Sequence, residues 1–251
     1  MRRSSRARAP ESGTRRSAKT GVRRPSPGDV RRVLGAMERR FGRPEPTRRL
    51  DPLSELILTI LSQSTSDTNR DRAFAGLSAR FRDWDEAAAA PRAAIEDTIR
   101  PGGLARVKSA VIHRLLRTVR TDRGALSLDV LRTWPMEEGR TYLLGLHGVG
   151  AKTAACVLLF ACGHAAFPVD THIHRIARRL GWIPGKAGAD AAHPLLEAAI
   201  PPERRFAAHV NFITLGREFC RPRRPDCASC PVRRDCRFAR GGGGRRPSYI
   251  G

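Results

Sequence analysis

The stretch from residue 137 to residue 180 most constrains the fold, because two apolar helical patterns meet there at a glycine turn. The apolar helix face before the turn carries Leu143, Leu144 and Leu146. The apolar run after it, residues 154–160, is too long and too rich in helix-forming residues for a hairpin strand. Glycines at 148 and 150 allow a close backbone approach to another surface, such as a phosphate, or they only make the bend.

Lys152 lies just inside the second helix of this stretch. The chain has 47 Lys and Arg residues, of which only four are lysines, so arginine serves almost wherever a cation is needed. A phosphate contact could use arginine, but an amine nucleophile could not, because a guanidinium does not deprotonate. The first turn of a helix also favours the neutral amine that a nucleophile needs. Lys152 is therefore a candidate nucleophile, with a solvated or phosphate-binding lysine as the alternative.

Asp170 precedes an apolar-periodic run that starts at Thr171. An aspartate in this position usually caps the helix that follows, because its carboxylate accepts hydrogen bonds from free backbone N–H groups. A capping carboxylate can still act in catalysis when it faces a cleft. Asp170 is therefore a candidate catalytic carboxylate as well as an N-cap.

Four of the six cysteines lie in a C-x6-C-x2-C-x5-C pattern, at Cys220, Cys227, Cys230 and Cys236. In a reducing compartment, four thiols in so short a loop predict a metal site rather than disulfides. Structural zinc usually uses two C-x2-C-like pairs, and this loop has one. The spacing alone leaves zinc and an iron-sulfur cluster open. The other two cysteines, Cys156 and Cys162, fall in an apolar run and are expected to be buried thiols.

The charge of the chain predicts an acidic polymer as partner. The formal net charge is +23, of which residues 1–28 supply +8, so the rest of the chain is basic in its own right. Nucleic acid is the commonest partner of such a surface. Residues 1–28 are expected to form a disordered basic tail and residues 241–251 a flexible end. No apolar run reaches membrane-spanning length, so we expect no membrane association.

Helical periodicity recurs along the chain, beginning at residues 29–41, and no strand pattern of any length occurs. An all-α fold with short connections is therefore predicted. A polar break with Gln63 and Ser64 separates two of these helices, and Leu104 follows a glycine turn. An exposed leucine on such a turn could be a wedge that unstacks bases, whereas ordinary packing is the alternative.

The residues from Leu146 to Ala154, followed by Val169-Asp170-Thr171-His172, resemble the helix-hairpin-helix signature of the endonuclease III family of DNA base-excision glycosylases. The resemblance covers about residues 29–236, and the three gaps between the cysteines are identical to those of the family. The chain departs from the usual hairpin at His147, where the family has proline. The resemblance implies two lobes, a helical barrel at residues 51–163 and a cluster lobe made of residues 29–50 and 164–240.

The resemblance also assigns roles to residues. It implies that Lys152 is the Schiff-base nucleophile, that Asp170 is the essential carboxylate and that the four cysteines hold a [4Fe-4S] cluster. The family fills the gap left by an extruded base with a glutamine, which here falls one place early. The expected DNA contacts are Gln63 or Ser64, Leu104, His147, Gly148, Val149, Gly150, and the phosphate-binding Arg221, Arg223 and Arg224.

The function implied by the resemblance is that of a bifunctional DNA glycosylase and AP lyase. Such an enzyme removes oxidised or ring-saturated pyrimidines from duplex DNA and cuts 3′ to the abasic site by β-elimination. We expect a monomer in the cytoplasm, associated with the nucleoid. A monofunctional adenine or mismatched-thymine glycosylase, and a non-catalytic DNA-binding protein stapled by metal, are the alternatives.

Overall fold

The computed structural model describes residues 24–47 and 49–241, and over this part the chain is all-α, as predicted, with no strand. The predicted tails lie outside it except for residues 24–28 and 241. The α-helices are α1 Pro27–Phe41, α2 Pro52–Leu61, α3 Asp67–Arg80, α4 Trp84–Ala89, α5 Arg92–Thr98, α6 Ala105–Arg123, α7 Met136–Gly145, α8 Ala151–Cys156, α9 Thr171–Leu180, α10 Ala189–Ala199, α11 Arg205–Glu218 and α12 Arg237–Arg240. Short 3₁₀ turns lie at Arg100–Gly102, Asp129–Arg132, Pro202–Arg204 and Arg233–Asp235.

Helix α1 begins two residues before the predicted start and takes the end of the predicted tail into the fold. Ser26 and Asp29 form a capping box, in which the Ser26 hydroxyl accepts from the Asp29 N–H at 3.1 Å. The Ser26 N–H donates back to the Asp29 carboxylate at 2.9 Å. Proline suits the first helical position because the N–H it lacks has no partner there. The expectation that disorder extends to residue 28 is therefore wrong for Pro27 and Gly28.

The first hydrophobic core is built from residues 53–166, and α2 is its central helix. Most side chains of α2 are buried, because α3, α6 and α8 all pack against it. A helix that is apolar on nearly all sides is typical of such a central position. Glu55 is a charged exception in the middle of α2, and it is only half-buried.

The second core combines α1 with the chain from Phe167 to Cys236. Val30, Val33, Leu34 and Met37 of α1 pack with residues of α9, α10 and α11. The N-terminal helix therefore returns to pack with the C-terminal half, although the whole first core separates the two in sequence. This arrangement gives the chain two hydrophobic cores.

The helix-turn-helix in the middle of the chain consists of α7, a turn and α8, which continues as a π-helix from Val157 to Cys162. Gly148 has φ +82°, and a Cβ there would lie 2.6 Å from Cγ1 of Val111 in α6. Only glycine avoids both the backbone strain and this contact. Leu143 and Leu146 are buried, whereas Leu144 is 45% exposed, so its expected place on the same apolar face is wrong. The next residue along a helix lies about 100° around the axis.

Two ion pairs connect segments that contribute to different cores. The Arg140 side chain of α7 lies 2.7 Å from Glu197 of α10, and Arg217 of α11 lies 2.7 Å from Asp67 of α3. These contacts fix the two parts against each other across the cleft between them. Within residues 24–47 and 49–241, no helix combines the length and the apolar character needed to cross a bilayer.

Candidate active site and DNA-binding surface

An open cavity between the two cores contains both Lys152 and Asp170. One wall is formed by α2, the loop after it and α8, and the other by the start of α9 and by α11. The polar side chains that line it include Glu55, Thr59, Gln63, Ser64, Asp67, Arg70, Lys152, Asp170, His172, His174, His209 and Arg217. The cavity therefore brings together four of the residues singled out in the sequence, Gln63, Ser64, Lys152 and Asp170.

Lys152 lies in the first turn of α8, which begins after Gly150 and has no side-chain N-cap. The lysine is half-buried. In the part of the chain that the structure describes, no carboxylate oxygen lies within 4.0 Å of its ammonium group. The amine is thus held in the cavity by its helix and is not neutralised by a direct ion pair.

Asp170 is the N-cap of α9, as its sequence position predicts. Its Oδ1 accepts the backbone N–H of Ile173 at 2.8 Å, which fixes the side chain at the head of the helix. The same residue lines the cavity, so capping and a position in the cleft are combined in one side chain. The N-terminal end of α9 also favours the negative charge of the carboxylate.

Glu55 is a cavity residue that the sequence analysis missed. It projects from the middle of α2, and burial raises its pKa to about 7, against the opposing effects of the Thr59 hydroxyl and the Lys152 charge. The Thr59 hydroxyl donates to Glu55 Oε1 at 3.3 Å. A single acidic residue inside the apolar helix Pro52–Leu61 was the available signal.

His209 is a second cavity residue that was not anticipated, and it is 3% exposed. Its Nδ1 donates to the carbonyl of Pro168 at 3.0 Å, two residues before Asp170. Burial lowers the pKa of His209 to about 4, although the charge of Asp170 acts in the opposite direction. A neutral imidazole therefore holds the segment that leads to Asp170.

Three residues of the described chain other than glycine have a positive φ, namely Ser64 at 52°, Leu104 at 51° and Arg224 at 51°. Each of them is among the expected DNA contacts. A left-handed conformation costs a residue with a Cβ about 1 to 2 kcal/mol, and such strain clusters at functional sites. Leu104 is also 57% exposed, which is unusual for a leucine beside a well-packed core.

The buried side chain of Lys108 connects two of these segments through hydrogen bonds. It is 2% exposed, and its ammonium group donates to the carbonyl of Leu61 at 2.7 Å and to that of Gly102 at 2.8 Å. Leu61 ends α2 just before Gln63 and Ser64, and Gly102 lies in the turn before Leu104. Burial lowers the pKa of Lys108, while the two carbonyls favour its charged form. No sequence pattern predicts this cross-link.

The four cysteines of the loop line one cavity, together with apolar side chains of α9 and α11. Burial raises the pKa of Cys227, and the neighbouring Cys236 and Cys220 raise it further, which places their sulfurs in mutual electrostatic range. No three His, Cys, Asp or Glu side chains in residues 24–47 and 49–241 converge closely enough to hold a single metal ion. Cys156 and Cys162 are buried, as expected.

Helix α9 holds the cysteine loop as well as the cavity carboxylate. Arg179 donates to the carbonyl of Arg221 at 2.8 Å and to Cys220 Sγ at 3.1 Å. Arg175 donates to the Cys220 carbonyl at 2.8 Å. The loop is thus tied to the same helix that begins at Asp170.

The other expected DNA contacts lie outside the cavity. Arg221, Arg223 and Arg224 are exposed on the cysteine loop, and Leu104 precedes α6. In the hairpin, His147, Gly148 and Gly150 are exposed, whereas Val149 is buried. None of these residues is among those that line the cavity.

Comparison with protein families defines the class to which this chain belongs. A model of the HhH-GPD superfamily of base excision DNA repair proteins matches residues 57–202. The match covers more than half of the chain, so the chain belongs to this superfamily. Endonuclease III of Thermotoga maritima is 33% identical over 197 residues, which cover 78% of this chain and 88% of that protein.

A protein of Arabidopsis thaliana that is provisionally named a DNA glycosylase is 41% identical over 165 residues. That match covers 66% of this chain and 56% of the plant protein, so the chain spans less than two thirds of that relative. Endonuclease III has been solved both in a non-covalent complex with DNA and as a trapped covalent intermediate with DNA. Each structure superposes with a TM-score of 0.74 at 28% identity and covers 86% of this chain and 98% of the other.

Proposed function

We propose that this protein is a bifunctional DNA glycosylase and AP lyase that acts on oxidised or ring-saturated pyrimidines in duplex DNA. The observation that carries the proposal is the shared cavity of Lys152 and Asp170. An amine and a carboxylate on opposite walls of one cleft suit imine chemistry at a sugar carbon. The trapped covalent intermediate of the similar endonuclease III supports the same chemistry.

The reaction assigns one task to each of the two side chains. A damaged base is first extruded from the duplex into the cavity. The neutral Lys152 amine then attacks C1′ of the deoxyribose, while the Asp170 carboxylate stabilises the positive charge that develops on the sugar. The bond from C1′ to the base breaks as the bond to Lys152 forms, and the sugar ring then opens at the C1′–O4′ bond, which gives an imine between C1′ and Lys152. β-Elimination from this imine breaks the strand on the 3′ side.

The expected DNA contacts suit the binding of a bent duplex. Exposed Leu104 is placed to enter the base stack, and Gln63 or Ser64 at the cavity rim to occupy the space left by the extruded base. The hairpin glycines leave the start of α8 without a side-chain cap, so its N–H groups are available to a phosphate. The strongly basic composition supplies the remaining attraction.

We further propose that Cys220, Cys227, Cys230 and Cys236 hold a [4Fe-4S] cluster. Four thiolates around one zinc ion at about 2.3 Å converge on a single point, whereas in a cubane each thiolate binds a different iron. The four cysteines line one cavity, and their spacing is that of the family's cluster loop, which supports the second arrangement. When bound, the cluster would link the four cysteines covalently and so hold the shape of the loop at residues 221–224. Iron, sulfide and zinc analysis of the purified protein tests this assignment, and stoichiometric zinc without iron contradicts it.

The proposed lyase is tested by borohydride trapping on duplex DNA that contains an abasic site. The wild type is expected to form a covalent adduct, and Lys152→Ala is expected to form none. Lys186→Ala is the matched control, because it removes the same charge from an exposed lysine outside the cavity. This control should trap at the wild-type rate.

A folded wild type that forms no adduct would overturn the lyase assignment. Release of adenine or of mismatched thymine from duplexes would then identify a monofunctional glycosylase. Equal binding to damaged and undamaged duplexes, without base release, would identify a non-catalytic DNA-binding protein. An adduct that survives in Lys152→Ala would place the nucleophile on another amine.

A further inference from the structure

The cavity holds one more acidic side chain than the proposed reaction uses. Glu55 enters from α2, whereas Asp170 enters from the head of α9 on the opposite wall. Asp170 is bound to the N–H of Ile173, so the cap restricts its movement. Glu55 has a single side-chain hydrogen bond in the described structure, the 3.3 Å contact from the Thr59 hydroxyl. Glu55, whose helix packs against α8, is therefore the less constrained of the two carboxylates.

An alkylamine is almost entirely protonated at neutral pH, so a lysine nucleophile must first lose a proton. We propose that the Glu55 carboxylate accepts this proton from the Lys152 ammonium group and returns it to the oxygen that leaves C1′. This inference rests on the proposed lyase function. No carboxylate lies within 4.0 Å of Lys152 in the described structure, so the proton passes through one water molecule or after the cleft tightens on DNA.

The steps at an abasic site balance as follows. Transfer of a proton from the Lys152 ammonium to Glu55 gives a neutral amine and a neutral carboxylic acid. The nitrogen lone pair forms a bond to the C1′ aldehyde carbon as the C=O π pair moves to the oxygen, and a proton passes from the nitrogen to that oxygen, which gives a neutral carbinolamine. Glu55 then donates its proton to the carbinolamine hydroxyl, the C1′–O bond breaks, and water leaves. The products are a protonated imine and the Glu55 carboxylate, so Glu55 is unchanged after imine formation.

The surroundings of Glu55 fit an acid-base group that works near neutral pH. Burial in the apolar first core raises its pKa to about 7, while the Thr59 hydroxyl and the Lys152 and Arg70 charges limit the rise. The ideal acid-base catalyst has a pKa near the working pH. The titratable and charged groups that share its cavity or lie in its electrostatic range are Asp51 before its own helix, Asp67 and Arg70 of α3, Lys152 and Cys156 of α8, Cys162 of the π-helix, Asp170 at the head of α9, His172 and His174 of α9, and His209 and Arg217 of α11.

The test is the pH dependence of single-turnover borohydride trapping on abasic-site duplex, with Glu55→Gln compared with the wild type. The wild-type rate should rise with pH through a midpoint near 7 as Glu55 ionises. Glu55→Gln should trap about 10²-fold more slowly at pH 7 and approach the wild-type rate at the alkaline end, where water removes the proton. Its affinity for the duplex should match that of Glu138→Gln, which removes one negative charge from an exposed site on α7.

Two further variants separate proton transfer from a structural role. Glu55→Asp keeps a carboxylate and should retain a rate that rises near neutral pH. Thr59→Val removes the hydrogen bond that favours the charged form of Glu55, so it should move the midpoint of the rate profile to higher pH. If Glu55→Gln fails to fold, this shift alone tests whether Glu55 transfers the proton. An unchanged profile in Glu55→Gln, a uniform loss at every pH, or an unmoved midpoint in Thr59→Val would overturn the inference. A wild type that never traps would overturn the lyase function itself.

Discussion

Two lysines of this chain lie on helices that both pack against α2, and their surroundings are opposite in kind. Lys108 is 2% exposed, and two backbone carbonyls accept hydrogen bonds from its ammonium group. Lys152 is half-buried in an open cavity, with no carboxylate of the described chain within 4.0 Å. A buried charge with fixed acceptors is stabilised in one state, which suits a structural cross-link. An amine that is not paired with a carboxylate suits the proposed nucleophile.

Under the proposed function, the two lysines serve different steps: Lys108 positions DNA contacts, and Lys152 carries out the covalent chemistry. Lys108 fixes the ends of the two segments that carry Gln63, Ser64 and Leu104, which are the side chains proposed to enter the duplex. Lys152 faces Asp170 and Glu55 across the cavity. Substitutions of the two lysines should therefore fail in different ways, the first in stability and loop position, the second in covalent chemistry.

The largest expected effect is that of Lys152→Arg. It should abolish trapping, because a guanidinium does not form the imine, while the charge and the affinity for duplex DNA remain. The free energy of unfolding should change by less than about 0.5 kcal/mol, as at ordinary surface positions. Trapping assays, DNA-binding titrations and urea unfolding provide the three readouts. Near-normal trapping would mean that Lys152 only binds phosphate.

The next effect is that of Asp170→Asn. Asparagine caps helices about as well as aspartate, so α9 should keep its N-cap and the protein its stability. Loss of the carboxylate charge should slow trapping by about 10²-fold. Rates under single-turnover conditions measure this effect, with Glu138→Gln at an exposed site outside the cavity as a charge-matched control. If Asp170→Asn traps like the wild type, the residue is a cap and nothing more.

Lys108→Met should affect stability rather than chemistry. It leaves the carbonyls of Leu61 and Gly102 without their donor inside a packed region, which should cost about 3 kcal/mol of unfolding free energy. At a temperature where the variant stays folded, Lys152 should still form the adduct, with weaker binding to abasic-site duplex. A stable variant with normal affinity would show that the cross-link does not position the two segments.

The smallest expected effect is on stability and concerns Leu104, in the turn before α6. Leu104 has φ +51°, so Leu104→Gly should be more stable than Leu104→Ala by about 1 kcal/mol, because glycine adopts this conformation without strain. Both variants should bind abasic-site duplex more weakly than the wild type, since both remove the exposed side chain. Equal stability of the two variants would indicate that the turn relaxes in solution.

Much of the fold could be predicted because its signals are local. Ser26, Asp51, Ser66, Asp83 and Asp170 all accept hydrogen bonds at helix starts, as such residues do near the beginning of an apolar-periodic run. The helix-turn-helix around Gly148 followed from glycine content and helical periodicity. The position of Leu144 was less predictable, because a shift of one residue turns a side chain by about 100° around the helix.

The candidate site was predictable only in part. Lys152 and Asp170 stood out because a rare lysine and a capping aspartate flank a recognisable hairpin. Glu55 did not stand out, since an acidic residue in a helix usually faces solvent, and periodicity does not show which neighbouring helix it meets. Gln63 and Ser64 both reach the cavity rim, so the sequence alternative between them remains.

The sequence by itself determined the all-α class and the glycine hairpin. Its cysteine spacing and its few lysines were also enough to indicate the candidate metal site and the candidate nucleophile. These properties depend on residue type and on neighbours within a few positions. The tertiary structure alone decided that Glu55 and Asp170 enter one cavity from opposite walls, and that Lys108 joins two loops beneath the surface. Such contacts depend on how helices rotate and pack against each other, and packing couples residues far apart in the chain. Surroundings, rather than residue type, therefore distinguish the side chains that stabilise the fold from those proposed to act in catalysis.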